Sequence, residues 1–153
     1  MAYRMACQHA DVIAGIASLA GQSFTDPALC APSQPVNILH IHGTADEYVP
    51  YGPGPPKAVS CSPTARPPWP GVVQNVQTWA GYNAAGSPVT DPVPSLDLTE
   101  DVTGLDTTIT RYTTCPPGGA VELWTINSGT HSPTPSSQFS PLVIDWLLAH
   151  PKP

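Results

Sequence analysis

Charge is what this sequence has least of. Its 153 residues include 5 Lys+Arg and 11 Asp+Glu, so 10% are charged, against about a quarter in an average globular chain. A net charge of −6 with so few cations excludes nucleic acid as a partner, because phosphate binding needs clustered Lys and Arg. No apolar run reaches the roughly 18 residues that a bilayer crossing requires, which excludes a membrane-spanning helix. No C-x-x-C pair occurs, so neither a zinc ribbon nor a thioredoxin-like motif is expected. The opening Met1-Ala-Tyr-Arg-Met-Ala-Cys7 has one Arg but no apolar core of a signal peptide. Two alternatives follow: a cytoplasmic protein, or a chain that does not begin where the natural protein begins.

Proline and apolar residues are plentiful. There are 21 Pro and 12 Gly, and 41% of the residues are hydrophobic, enough to bury a core and too apolar for a disordered chain. The four cysteines, Cys7, Cys30, Cys61 and Cys115, are even in number and widely spaced. They fit either the disulfides of an exported protein or ordinary buried thiols.

Periodicity predicts α/β architecture. Met1 to His9 reads as a short helix. Asp11 to Ala20 and Val36 to His42 are nearly continuous apolar runs, each ending at a Gly, as expected of strands buried on both faces of a parallel sheet. Pro50 to Pro70 is dense in Pro and Gly and reads as a loop insertion. Val72, Val73, Val76, Trp79 and Ala80 mark one face of a helix. The stretch 87–104 is polar and reads as a surface loop. Thr107–Thr114 and Val121–Ile126, joined by Cys115-Pro-Pro-Gly-Gly119, predict a hairpin. Ser140 as N-cap and Pro141 at the first helical position open a last amphipathic helix carrying Phe139, Leu142, Val143, Trp146 and Leu147. With only two central strands, the sheet is expected to be incomplete.

The chemistry concentrates at two strand ends. His40-Ile-His-Gly-Thr-Ala-Asp46 closes the second apolar strand, and in open α/β sheets ligands bind beyond the carboxyl ends of strands. A carboxylate four residues past His42 suits the task of orienting an imidazole, although an Asp in such a turn also serves simply as a local cap. His40, His42 and Asp46 as metal ligands form a weaker alternative, since no further ligand is evident. His131, in Asn127-Ser-Gly-Thr-His131, follows another strand, and a His in a Gly/Ser loop suits general-base work. A solvated loop His is the plainer reading of that residue alone. Its joint occurrence with Asp46 is the reason to single it out.

Several segments together resemble the α/β-hydrolase superfamily, specifically the polyhydroxybutyrate depolymerase and feruloyl esterase-like esterases. They are Tyr3-Arg-Met-Ala-Cys7, Ala14-Gly-Ile-Ala-Ser-Leu-Ala-Gly21, Leu39-His-Ile-His-Gly-Thr-Ala-Asp46, Val121-Glu-Leu-Trp-Thr-Ile126 and Gly129-Thr-His131. The resemblance implies the C-terminal portion of an α/β-hydrolase fold, a mainly parallel sheet with flanking helices, over residues 1–153. It implies a secreted serine carboxylesterase acting on a polymeric or small ester, with no cofactor and no metal. In that family the triad runs Ser, Asp, His, which makes Asp46 the acid and His131 the base. The nucleophile elbow G-x-S-x-G occurs nowhere in the 153 residues. Gly21-Gln-Ser-Phe-Thr25 lacks the closing Gly, and Asp26-Pro27 does not continue into the helix an elbow needs, so Ser23 is a poor substitute. The expectation is a chain that is catalytically silent by itself.

The same resemblance implies a Cys7–Cys30 disulfide. Cys115 lacks the family's usual partner, leaving Cys61 as a weaker candidate. Trp79 and Trp146 fall on apolar helix faces and are expected in the core. Trp69, Tyr48 and Tyr51, which follow the acid in sequence, are the candidate substrate contacts. A non-catalytic carbohydrate- or polyester-binding module built on those three aromatics is the alternative function.

Overall fold

A computed structural model describes residues 1–57 and 68–153. The elements run α1 (Ala2–Gln8), β1 (Gly15–Leu19), a 3-10 turn (Pro27–Leu29), β2 (Asn37–Gly43), α2 (Val72–Tyr82), β3 (Pro88–Thr90), β4 (Thr107–Tyr112), β5 (Val121–Ile126) and α3 (Phe139–Ala149). The five strands form one sheet in the order β1-β2-β5-β4-β3. The protein is α/β with a mixed sheet.

The expectation of a mainly parallel sheet is corrected. β1–β2 and β2–β5 are parallel, whereas β5–β4 and β4–β3 are antiparallel. The cause lies in the connections. The link from Tyr112 to Val121 is too short for a crossover, so β4 and β5 can only pair as the predicted hairpin. The stretch read as a surface loop then adds β3 to the outer edge of β4 and buries Leu98 completely.

The first strand is shorter than its apolar run. Val12 and Ile13 both donate to the His9 carbonyl, which turns the chain until Gly15 before it can enter the sheet. β2 is buried along its whole length, as its unbroken apolar pattern requires. The last helix starts at Phe139, with Gln138 as its cap, two residues earlier than the Ser140 signal indicated. Pro141 therefore occupies the third helical position, where its missing N–H is still one of the unpaired donors of the first turn.

Two cores flank the sheet. On one face Val36, Ile38, Val121 and Leu123 pack with Tyr3, Val72, Val76, Trp69 and Trp79. On the other, Leu39, Ile41, Ile109, Trp124 and Ile126 pack with Trp146 and Leu98. The alternation of odd and even residues along β2 between these cores is the strand period itself. One consequence matters for the site. His40 and His42 fall on the α1/α2 face, among its apolar residues.

Cys7 at the end of α1 and Cys30 after the 3-10 turn are joined by a disulfide. Cys115 is half-buried and donates from Sγ to the Tyr112 carbonyl at 3.1 Å, while its candidate partner Cys61 lies outside the described residues. Gly54 and Trp69, on either side of the undescribed part of the Pro-rich segment, exchange a pair of backbone hydrogen bonds (3.0 and 2.9 Å). No helix among the described residues is long and apolar enough to cross a membrane.

Candidate active site

β2 and β5 are adjacent and parallel, so the loops that follow them emerge side by side. The two loops touch where Gly43 meets Gly129: a Cβ on Gly43 would lie 2.1 Å from the Gly129 carbonyl oxygen. That carbonyl accepts from Ala45 N at 2.9 Å, and Thr44 Oγ1 accepts from Ser128 N at 2.8 Å. Ser128 takes a left-handed φ of 61° to make the turn. The H-G-T and S-G-T sequences are thus the complementary halves of one junction, with a bare backbone on each side.

The junction brings Asp46 and His131 together. The His131 Nδ1–H donates to Asp46 Oδ2 at 2.8 Å. The Asp46 side chain is fully buried, while the imidazole is 35% exposed, so its other nitrogen, Nε2, is free of protein hydrogen bonds among the described residues. Asp46 Oδ1 accepts from the backbone N–H groups of Tyr48 and Val49 at 2.9 and 2.8 Å. His42 Nε2 lies 3.1 Å from Oδ2 and 2.9 Å from the Val49 carbonyl. Oδ1 therefore meets two backbone donors, and Oδ2 lies between the two imidazole nitrogens. The local Asx bonds of the plainer reading are present too, and they aim the carboxylate rather than replace its contact with His131.

A second set of contacts holds the His131 loop from its far side. Asp106 is 1% exposed, and its carboxylate accepts from Leu98 N (3.1 Å), Thr99 N (2.9 Å) and Thr107 Oγ1 (2.5 Å). Thus anchored, Thr99 Oγ1 and Glu100 N both donate to the Thr134 carbonyl at 2.9 Å. Thr134 N in turn donates to Asp101 Oδ2 at 2.8 Å. The Thr134 donors hold the exposed Asp101 carboxyl below the ordinary range. Sequence reasoning missed this clamp because a polar, Pro-containing stretch carries no periodicity to show that its Asp is buried.

The three candidate substrate contacts separate. Tyr48 is 38% exposed and its ring centre stands 5.3 Å from that of His131, with the Lys57 ammonium 4.8 Å above it. Tyr51 is half-buried and shares a 2.8 Å hydrogen bond with Thr125 Oγ1, at one end of a cavity of about 380 Å³ lined by Thr108, Thr110, Tyr112 and Leu123. Burial raises the Tyr51 phenol above its usual range, so it is a hydrogen-bonding group and not an anion. Trp69 is corrected to a core residue. It is 2% exposed, stacks on His42 at 6.1 Å between ring centres, and donates Nε1–H to the Pro50 carbonyl at 2.8 Å. No face of it is open to a ligand, which removes the anchor of the binding-module alternative.

Ser23 is likewise engaged elsewhere. Its Oγ accepts from Trp79 Nε1 at 3.0 Å, and no hydrogen bond joins it to His131. The metal reading of His40, His42 and Asp46 also changes. All four ring nitrogens of the two histidines take part in hydrogen bonds with protein groups: Tyr3, one another, and Val49 with Asp46.

No family model matches the chain. A stretch of 51 residues, 33% of the chain, is 45% identical to a protein described as "Putative esterase NocK" from Nocardia uniformis subsp. tsuyamanensis. The match spans 15% of that protein's length. The likeness is to a protein described in those words, over part of the chain.

Proposed function

We propose that this chain carries the acid and base of a serine-type carboxylic ester hydrolase with the α/β-hydrolase arrangement. The observation that supports the reading is the 2.8 Å contact between His131 Nδ1 and the buried Asp46 carboxylate, with Nε2 left open. In such a site Nε2 removes the proton from a serine hydroxyl as it attacks the ester carbonyl. The resulting imidazolium is stabilised by Asp46 and then protonates the leaving alcohol. The serine is one that these residues do not place in an elbow, and the oxyanion donors come with it. Esters of polyhydroxyalkanoates or of plant polysaccharides are the substrates that the motif resemblance favours. The disulfide and the low charge support an exported protein.

The test compares the 153-residue chain with the polypeptide extended through its upstream reading frame, on p-nitrophenyl butyrate, methyl ferulate and poly(3-hydroxybutyrate). The extended polypeptide is expected to hydrolyse at least one ester, and His131→Ala or Asp46→Asn to lower kcat/KM by about 10³-fold or more. Hydrolysis that neither substitution changes, or its absence from the extended polypeptide, overturns the reading. Equal activity of the 153 residues alone overturns the external serine.

A further inference from the structure

Behind Asp46 a line of buried polar side chains crosses the α1/α2 core. Asn75 Nδ2 donates to Tyr3 Oη at 3.0 Å, and Tyr3 Oη lies 2.5 Å from His40 Nδ1. His40 Nε2 lies 3.0 Å from His42 Nδ1, and His42 Nε2 reaches both the Val49 carbonyl and Asp46. Tyr3, His40, His42 and Asn75 are all 3% exposed or less. Imidazole tautomers are ambiguous in isolation, but here the far end decides them. A carbonyl and a carboxylate can only accept, so His42 Nε2 carries a hydrogen.

Burial, reinforced by the neighbouring imidazole, holds His40 well below the usual imidazole range, and burial lowers His42 as well, so both rings are neutral near pH 7. A neutral His42 with its hydrogen on Nε2 must accept at Nδ1, which makes His40 Nε2 a donor. A neutral His40 must then accept at Nδ1, which makes the Tyr3 hydroxyl a donor. Asn75 supplies the hydrogen that Tyr3 Oη accepts, and its own Oδ1 accepts from Ser23 N at 3.2 Å, which fixes the amide orientation.

We infer that Asn75, Tyr3, His40 and His42 form a one-directional hydrogen-bond relay in which every donor points toward Asp46, and that His42 is the positioning residue for the carboxylate oxygen His131 uses. The relay gains its link to catalysis from the esterase reading. Its geometry stands apart from that reading. The His42 Nε2–H donates to the Val49 carbonyl, and Nε2 sits 3.1 Å from Oδ2, flanking the oxygen that His131 uses. A turn of the carboxylate would break the Oδ1 bonds from Tyr48 N and Val49 N. Tyr3 and Asn75 hold the imidazole pair in register from the opposite end.

The closing experiment is histidine ¹⁵N NMR on the 153-residue chain at pH 7, where no ester hydrolysis is needed. His40 and His42 are expected as neutral Nε2–H tautomers, and His131 as the Nδ1–H tautomer with a slowly exchanging proton. His42→Phe keeps a ring and removes the donor. It is expected to shift His131 toward the Nε2–H tautomer and speed exchange of its Nδ1 proton at least tenfold. His42→Gln, whose amide nitrogen can reach the same two acceptors, is expected to restore most of the original signal. Tyr3→Phe, at the far end, is expected to act in the same direction as His42→Phe and more weakly. A His42 found as Nδ1–H in the unmodified protein overturns the relay even if no variant folds. So does a folded His42→Phe with an unchanged His131. If the tautomers hold and the extended polypeptide cleaves no ester, the relay stands and the esterase reading falls.

Discussion

A methyl group at position 43 would meet the Gly129 carbonyl oxygen at 2.1 Å and the Thr130 carbonyl oxygen at 2.7 Å. Neither is a flexible side-chain end, so Gly43→Ala must push the two loops apart, and with them Asp46 and His131. The expected loss is about 2–3 kcal/mol of unfolding free energy, as for other overpacked sites, together with loss of the slowly exchanging His131 Nδ1 proton. Urea titration and proton NMR read both, and a variant with unaltered midpoint and resonance would refute the junction. At this scale the sequence was informative wherever a residue broke its local pattern. His40 and His42 interrupt an apolar strand, and Asp46 follows a Gly turn. Asn75 stands among Val72, Val76 and Trp79 on an otherwise apolar helix face, and that is the signal by which the buried relay could have been found. What could not be read was partnership. Tyr3 and His40 are 37 positions apart, and no spacing rule connects them.

Elements were legible where period and turn chemistry agreed. α1, α2, β2 and the β4–β5 hairpin follow their patterns, whereas β3 hides in a polar stretch because three exposed edge residues carry no alternation. The same stretch conceals the Asp106 clamp. Asp106→Asn replaces one acceptor oxygen with an NH2 group that faces the Leu98, Thr99 and Thr107 donors. The expected cost is about 2–3 kcal/mol, the range for a buried group left without its partner. The His131 loop should loosen with it. Amide exchange at Thr134 and Ser136, whose bonds depend on the clamp, is expected to quicken well before the sheet amides do. Uniform quickening across the whole chain would mean the clamp has no special hold on that loop.

For the molecule as a whole, the buried imidazoles set the pH response. Because His40 and His42 have lowered affinity for protons in the fold, the unfolded chain binds more protons than the folded one as pH drops below the ordinary imidazole range. Stability is therefore fully present above about pH 6.5 and is lost as acid protonates the unfolded state. Each imidazole contributes up to about 1.4 kcal/mol per pH unit below that point. The two together are expected to lower stability by up to about 3 kcal/mol between pH 7.5 and 5.5. Urea midpoints at the two pH values measure it, and a midpoint that holds or rises on acidification would contradict neutral burial of the pair. Tyr3 adds nothing to this window, since burial raises its phenol and keeps it protonated. The parallel-sheet expectation failed at this same scale. Strand direction depends on how the chain returns, and composition shows little of that.

Asp46 and His131 lie 85 positions apart in the chain, yet their separation in space is set by the spacing of two neighbouring strands. The β2–β5 ladder acts as a ruler, and everything threaded between its two ends is a detour. Exposed parts of that detour, such as the edge strand β3, can be rewritten in sequence without the ruler changing length. Substitutions at exposed positions of the detour are thus expected to leave the acid–base pair unaltered, whereas Val49, Asn75 and Asp106, which also lie within it, brace the two ends and are not free to change.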